Sequence, residues 1–326
     1  MSALKLKFTM LATLAAIIGL STLFLAIILS LLGVSLITLG VFVVLINVLQ
    51  WLIAPYIIDA IYRAKRVSRY EEPELYSILE RVSARSGIKT PELRIAQIPI
   101  PNAFAYGSPL TGNRVAITTG LLNALSLDEV EAVIGHEVGH LKHRDVQVMM
   151  FVSLLPAIFY YVGYSLMWSS MYYGGYGGGR DRRGNGSLLA LIGLLSIAIY
   201  WILTLFTLYL SRLREYYADR HSASIVPDGA RKLSLGLVKI VESTARLRTR
   251  YADLGALSSF KALFISDPDS AEKDSITLSR YGYSRTEMGL LEKYLRRKVT
   301  LAEQMAELFS THPNIIKRLK ALQELA

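Results

Sequence analysis

The chain of 326 residues is 52% hydrophobic and 19% charged, which is more apolar than an ordinary soluble globular protein. It contains no cysteine, so disulfide frameworks and cysteine-ligated metal sites are excluded, and any metal must be held by histidine and carboxylate side chains. The net charge of +10 is explained better by cationic residues flanking apolar segments than by nucleic acid, which we do not expect as a partner.

The N-terminal part of the chain is a long apolar run. No charged residue occurs between Phe8 and Ile58, and this length suits two membrane spans of about 20 residues each. We place them near Phe8–Leu29 and Val34–Ile58. Lysine and arginine flank the run on both sides and its central turn is uncharged, so the positive-inside rule predicts that both ends are cytoplasmic.

A helix and several short strands follow this first hairpin. An apolar face, with Pro73 in the first turn and Gly87 at the end, predicts an amphipathic helix over Tyr70–Ser86. The hydrophobic period then changes to that of strands, which predicts a small sheet. Its predicted strands are Leu93–Ile98, Ala103–Tyr106 and Arg114–Thr118.

The next helix carries a candidate metal site. Ser126 and Glu129 form the Ser-x-x-Glu pattern of a capping box, which predicts a helix start. The helix then contains His136-Glu137-Val138-Gly139-His140, which is the HExxH pattern. Residues four apart lie one turn above each other, so both imidazoles can bind one Zn²⁺. Glu137 is placed to take a proton from a water that the metal activates. The alternative is a surface helix that happens to carry two histidines.

Two further spans are predicted near Val148–Trp168 and Leu188–Leu210. The segment between them, residues 169–187, is rich in glycine and charge and cannot cross a bilayer, so we expect a flexible outside loop.

A third metal ligand is expected just after the fourth span. Glu215 and Asp219 are four apart and share a helix face. Glu215 would bind the metal, and Asp219 would orient a ligating histidine through its second ring nitrogen. The alternative is a solvated helix of ion pairs below the membrane. His143 lies about 10.5 Å along the helix axis from His136, too far to share its metal, so we interpret it as a structural residue or one that supports the ligands.

The C-terminal part is expected to be helical. Its predicted helices are Asp228–Arg250, Glu287–Glu307 and Pro313–Leu325, and the polar stretch Ser258–Ser284 receives no assignment.

The predicted fold is a mainly α integral membrane protein with four transmembrane helices and a cytoplasmic α+β, zincin-like protease domain that contains a small β-sheet. Its predicted divisions are an N-terminal hairpin (1–62), a protease part with the sheet and HExxH helix (63–146), a second hairpin (147–210) and a cytoplasmic helical part with the third ligand (211–326).

Four motifs in this order resemble the HtpX-type membrane zinc metalloproteases, which are related to the CAAX prenyl proteases. The matching stretches are residues 101–105, residues 136–145, residues 211–219 and residues 310–313. The resemblance implies a gluzincin-type endopeptidase that holds one Zn²⁺ through His136, His140 and Glu215, with Glu137 as general base.

The same resemblance implies two further roles. An edge strand beside the zinc pairs with the substrate backbone in such proteases, and Asn102, Ala103, Phe104 and Ala105 match that position. The alternative is an ordinary core strand. His312 matches a late histidine near the active site, where it either hydrogen-bonds the tetrahedral intermediate or caps the last helix.

The resulting hypothesis is a zinc endopeptidase of the cell membrane that cleaves unfolded or membrane proteins at the cytoplasmic face. A CAAX-type prenyl-protein protease is the nearest alternative. An intramembrane protease is disfavoured because charged residues follow the HExxH motif directly. The non-enzymatic alternative is a four-span membrane scaffold, for which zinc and Glu137 would be dispensable.

Overall fold

The computed structural model describes residues 36–175, 182–250 and 287–326, together with the isolated positions Leu20, Leu23, Phe24 and Ile27. Its residues form two units. The first comprises the described residues of Leu52–Val146 and Ser211–Ala326, and the second comprises those of Lys7–Trp51 and Gln147–Leu210.

The described residues form ten helices and four strands. In chain order they are α1 (Leu36–Tyr62), β1 (Ala64–Arg66), α2 (Pro73–Ser86), β2 (Glu92–Ala96), β3 (Ala103–Ser108), β4 (Gly112–Thr118), α3 (Thr119–Ala124), α4 (Leu127–Lys142), α5 (Asp145–Gly175), α6 (Arg182–Ile225), α7 (Gly229–Arg250), α8 (Glu287–Arg296), α9 (Leu301–Leu308) and α10 (Ile315–Gln323).

Two helices in the described ranges are long and apolar enough to cross a membrane, Asp145–Met171 within α5 and Gly186–Ile225 within α6. They coincide with the predicted third and fourth spans. The predicted second span lies in α1, whose stretch Val48–Tyr62 is apolar but shorter. The predicted first span and the stretch Ser258–Ser284 lie outside the described residues, apart from the four isolated positions. The four-span arrangement therefore stays a prediction.

The predicted outside loop, residues 169–187, is helical at both ends. Helix α5 continues to Gly175 and α6 begins at Arg182, while residues 176–181 lie outside the described ranges. The expectation of a loop over the whole segment was therefore wrong, because a helix that has formed in an apolar span extends by one backbone hydrogen bond per residue into polar sequence.

The sheet of the first unit has four strands in the order β1-β2-β4-β3. β2 and β4 are parallel, and the other two pairings are antiparallel. The three predicted strands are present, and β3 forms one edge of the sheet. Strand β1 was not predicted, because three residues, two of them exposed and basic, carry no detectable alternation.

Both faces of the sheet are covered. On one face, apolar side chains of β2, β3 and β4 pack with α2, α4, α7 and α10 in the main hydrophobic core. On the other face Phe104 and Tyr106 of β3 pack with Tyr62 at the end of α1. The second unit has its own core between α5 and α6, which includes Phe159 and Leu203.

One helical prediction is confirmed and another is wrong. Helix α2 begins at Pro73 and its last residue is Ser86, and Gly87, which has a φ of 66°, provides the expected left-handed cap. The single helix predicted over Glu287–Glu307 is wrong, since α8 ends at Arg296 and α9 begins after Thr300. Thr300 and Glu303 form a second capping box, which starts a new helix.

Candidate active site

Helix α4 begins as its sequence predicts. The Ser126 side chain accepts a hydrogen bond from the Glu129 N–H, and the Glu129 carboxylate accepts one from the Ser126 N–H. The capping box fixes the register of the helix, and His136, Glu137 and His140 follow in its last two turns. His136 and Glu137 are buried and His140 is partly buried.

Helix α6 lies very close to α4. A Cβ placed on Gly139 would be 3.3 Å from Cα of Ala218, and one on Gly135 would be 2.8 Å from Oγ of Ser222. The Ser222 hydroxyl donates a hydrogen bond to the backbone oxygen of Ala132. Small residues on α4 therefore allow the two helix backbones to approach, which brings the polar side of α6 onto the HExxH motif.

This approach gathers the three predicted metal ligands. Nε2 of His136 lies 3.1 Å from Nε2 of His140. The Glu215 carboxylate oxygens lie 3.6 Å from the first nitrogen and 3.5 Å from the second. These three residues form the group that can hold a metal in the described part of the chain.

The donor set fits a zinc ion. Donors held at 2.0–2.1 Å in tetrahedral geometry are separated by about 3.3 Å, close to the three separations observed. Oε2 of Glu215 is buried and accepts no hydrogen bond from the described side chains, although it forms an ion pair with Arg318. Two imidazoles and one carboxylate also match the protein ligands of catalytic zinc sites, which leave a further position open.

Glu215 is kept ionised by its surroundings. Burial favours the neutral carboxyl, but the charges of His312 and Arg318 outweigh this and hold the pKa of Glu215 well below its usual value. Nη1 of Arg318 lies 3.2 Å from Oε2 of Glu215.

Asp219 lies beside a ligand histidine, as predicted. Its Oδ1 is 2.9 Å from Nδ1 of His136, which leaves Nε2 of that ring directed towards the other donors. Sequence reasoning missed the residue behind it. The buried guanidinium of Arg318 on α10 donates to both Asp219 oxygens, at 2.6 and 2.9 Å. No local pattern connects residues 99 positions apart, so only the folded chain reveals this pairing.

His140 has a carboxylate partner of its own. Oδ2 of Asp145 lies 2.7 Å from its Nδ1, and Oδ1 of Asp145 lies 3.0 Å from Nε of Arg214. The chain reverses at Arg144, which has a φ of 54°, and this reversal returns Asp145 to His140.

Glu137 is buried beside the three candidate metal ligands. Burial raises the pKa of its carboxyl, and the backbone N–H of Ala105 donates a hydrogen bond to it. The raised pKa brings the carboxylate closer to the range in which a general base works efficiently.

The remaining histidines are divided between two places. Nε2 of His312 lies 3.9 Å from Oε1 of Glu215, so the structure places this residue at the ligand group. The alternative that it caps the last helix is wrong, because the Asn314 side chain caps α10. His143 instead packs edge-on against Tyr217, with the His221 ring centroid 5.4 Å away.

The predicted substrate-binding residues lie in or next to β3. Asn102 is buried, and its backbone hydrogen-bonds with Thr118. Ala103 and Ala105 pack in the main core, and Phe104 packs on the opposite face. The strand is at the sheet edge and reaches Glu137 through the N–H of Ala105.

The sequence matches a known family. The model for peptidase family M48 matches residues 69–326. A protease HtpX homolog of Thermoplasma acidophilum is 38% identical over 288 residues, which cover 86% of this chain and 83% of that protein. Another, from Aeropyrum pernix, is 38% identical over 279 residues, with coverages of 86% and 83%. Protease HtpX homolog 2 of Saccharolobus solfataricus is 37% identical over 284 residues.

The fold is also similar to a solved structure. The crystal structure of S. mikatae Ste24p superposes with a TM-score of 0.54 at 20% identity, covering 98% of this chain and 67% of that one.

Proposed function

Since this chain belongs to peptidase family M48 and is therefore a metallopeptidase, we propose that it is a membrane-bound zinc endopeptidase that cleaves misfolded or membrane proteins at the cytoplasmic face. The observation that supports this proposal best is the close grouping of His136, His140 and Glu215, with Glu137 beside them. One Zn²⁺ per chain would be held by the three grouped side chains.

Bound zinc would acidify a water molecule and polarise the scissile carbonyl. Glu137 takes the proton from the attacking water and later delivers it to the leaving amine. Its position for this role is supported by the hydrogen bond from the Ala105 N–H and by burial, which raises its pKa.

Two carboxylates orient the histidines. Asp219 lies 2.9 Å from Nδ1 of His136, and Asp145 hydrogen-bonds with Nδ1 of His140, so that both rings present Nε2 to the metal position. Such partners fix the tautomer of a ligating histidine and increase its basicity. His143 packs with Tyr217 and supports the end of α4.

His312 acts on the reacting group. Its ring lies beside Glu215 in a buried position, so a protonated imidazole there donates a hydrogen bond to the negative oxygen that develops on the scissile carbonyl. Donors of this kind stabilise the transition state more strongly than the ground state.

The substrate binds as an added strand along β3. Strand addition uses main-chain hydrogen bonds, and β3 has no neighbouring strand on one side among the described residues. Asn102, Ala103, Phe104 and Ala105 form this segment. Because the side chains of Ala103, Phe104 and Ala105 point into the two cores, recognition depends on the backbone and suits unfolded substrates of varied sequence.

Membrane insertion completes the proposal. Helices α5 and α6 contain segments suited to crossing a bilayer. With the predicted N-terminal hairpin they give four spans in the cell membrane, and both termini and the active site lie in the cytoplasm. Cations at the cytoplasmic ends of the spans support this orientation.

The test is cleavage of unfolded casein by the detergent-purified protein, with and without a chelator, followed by added Zn²⁺. Wild type and Glu137→Gln are compared, and zinc content is measured for both. We expect the chelator to abolish cleavage and zinc to restore it. Glu137→Gln should retain zinc but lose cleavage by about 10²-fold or more, the contribution of a general base.

Two results would contradict the proposal. Near-normal cleavage by Glu137→Gln would remove this residue from the mechanism. Purified protein that neither binds zinc nor cleaves casein would favour the membrane scaffold. A farnesylated peptide, added as a second substrate, separates a general endopeptidase from a CAAX-type protease, which would cleave only the prenylated substrate.

A further inference from the structure

Helix α9 exposes an apolar face. Its large apolar residues occur at spacings of four, three and one, which places them within one arc of the helix surface. They are exposed by 80% (Leu301), 61% (Met305), 44% (Leu308) and 62% (Phe309, the residue after the helix). An amphipathic helix of a soluble domain normally buries such a face.

The polar side of α9 is the side that is attached to the protein. Glu303 forms an ion pair with Arg297, and Glu307 forms one with Lys317 of α10. Thr300 caps the first turn. These contacts hold the helix so that its apolar side faces outwards, and they oppose a rotation that would bury it.

The end of α9 is connected to the end of a predicted span. Nη1 of Arg212 donates to the backbone oxygens of Glu307 and Ser310, both at 2.8 Å. Arg212 lies on α6, two residues and about 3 Å after Leu210, the last residue of the predicted span. Tyr209, which is exposed, directly precedes Leu210, and tyrosine is typical of the membrane–water border.

We propose that the apolar face of α9, formed by Leu301, Met305, Leu308 and Phe309, lies in the interfacial layer of the lipid bilayer. An amphipathic helix in this layer buries its apolar side among the acyl chains and keeps its charged side in the aqueous phase. The inference rests on the proposed membrane insertion of α6, because Arg212 then holds α9 at the membrane border.

This contact would also position the active site. Only Ser310 and Thr311 separate Phe309 from His312, and Arg212 binds the backbone at Ser310. The lipid contact of α9 would therefore hold the backbone beside His312 at the membrane border.

The absence of cysteine makes a direct test possible. Met305→Cys and Phe309→Cys, each the only cysteine of the full-length protein, are labelled with bimane and reconstituted one chain per nanodisc. Fluorescence is compared between ordinary lipids and lipids with brominated acyl chains. Leu127→Cys is the matched control, since Leu127 is an exposed leucine of the same unit. Leu195→Cys in the predicted span of α6 reports membrane insertion.

We expect brominated lipids to quench the labels at positions 305 and 309 at least threefold more than the label at position 127. Quenching at 195 without quenching at 305 and 309 would overturn the lipid contact alone. Unquenched label at 195 would instead refute membrane insertion of α6. Equal quenching at 127, 305 and 309 would also overturn the proposal.

Other occupants give different results. Shielding of the labels at 305 and 309 only after unfolded casein is added would make the face a substrate site and contradict the lipid contact. Shielding that requires two chains per nanodisc would make it a contact between copies.

Discussion

At the scale of single residues, Arg318 connects the parts of the candidate metal site. Its side chain is only 1% exposed, and it contacts the ligand Glu215 as well as Asp219, the partner of His136. An arginine suits this position because its planar guanidinium binds a carboxylate through two parallel hydrogen bonds, whereas lysine offers a point charge. Arg318 thus supplies one buried positive charge to two of the buried carboxylates of the site.

We expect Arg318→Met to reduce the free energy of unfolding by about 3–5 kcal/mol, because it leaves buried carboxylates without their cation. Arg318→Lys keeps the charge but loses the paired hydrogen bonds, and zinc affinity should fall about 10–100-fold, as for other partners of ligating residues. Zinc transfer to a fluorescent chelator measures the second effect, and denaturant unfolding the first.

Arg296→Met is the control for these variants, since Arg296 is an exposed arginine on α8. It should change neither quantity measurably. Wild-type zinc affinity in Arg318→Lys would show that charge alone, without the paired geometry, supports Asp219.

At the scale of secondary-structure elements, the close approach of α4 and α6 determines whether the donors meet. The backbones come together at Gly135 and Gly139, on the same face of α4. Gly139 directly precedes His140, so a change in helix separation there alters the position of a ligand as well as the packing.

The variants Gly139→Ala and Gly236→Ala together test how closely α4 must pack against α6. A Cβ at Gly139 would lie 3.2 Å from His221 and 3.3 Å from the Ala218 backbone, whereas at Gly236 the nearest atom is 3.7 Å away. We expect Gly139→Ala to destabilise the protein by about 1–3 kcal/mol through overpacking. Gly236→Ala, within α7, should stabilise it by about 0.5–1 kcal/mol through helix propensity.

Thermal or denaturant unfolding of the two variants measures both effects. Equal stabilisation by the two alanines would mean that α4 and α6 have room to separate, and that glycine is not required between them.

The elements also show which features the sequence can predict. The capping box at Ser126, the two long apolar helices predicted as the third and fourth spans, and three strands depend on local patterns, and the structure contains them. Strand β1 is too short and too charged for such a pattern. The capping box at Thr300 has the same signature as the one at Ser126, but the apolar periodicity continues across it and suggests one helix. The pairing of His136 with His140 followed from helix spacing, and the resemblance implied that Glu215 joins them. The contacts of Asp145 and Arg318 depend instead on a chain reversal and on tertiary packing.

At the scale of the whole molecule, residues 147–210 interrupt the unit that carries the site. Both candidate histidine ligands precede this insertion, and Glu215, His312 and Arg318 follow it. The main core likewise joins α2 and α4 to α7 and α10. A bound metal would therefore link chain segments that are distant in sequence and would stabilise the first unit as a whole.

We expect zinc removal to increase amide hydrogen exchange in α4 and α10, with less change around Ile199 and Leu203 in the core of the second unit. At free zinc 1,000-fold above its Kd, binding adds about 4.1 kcal/mol of stability to the state that binds it. Exchange measured by mass spectrometry, with and without chelator, detects this loss. Glu137→Gln, which should still bind zinc, is the control. Unchanged exchange in α4 after zinc removal would contradict a metal held there.

The order of these segments along the chain has a consequence for biosynthesis. A nascent chain presents His136 and His140 first, then has to build the hairpin of α5 and α6 before Glu215 is translated. Arg318, which pairs with Glu215 and Asp219, emerges from the ribosome after all of them. The site therefore cannot be completed before residue 318 has been translated, so the segments that precede it are synthesised without a finished catalytic centre in the same chain.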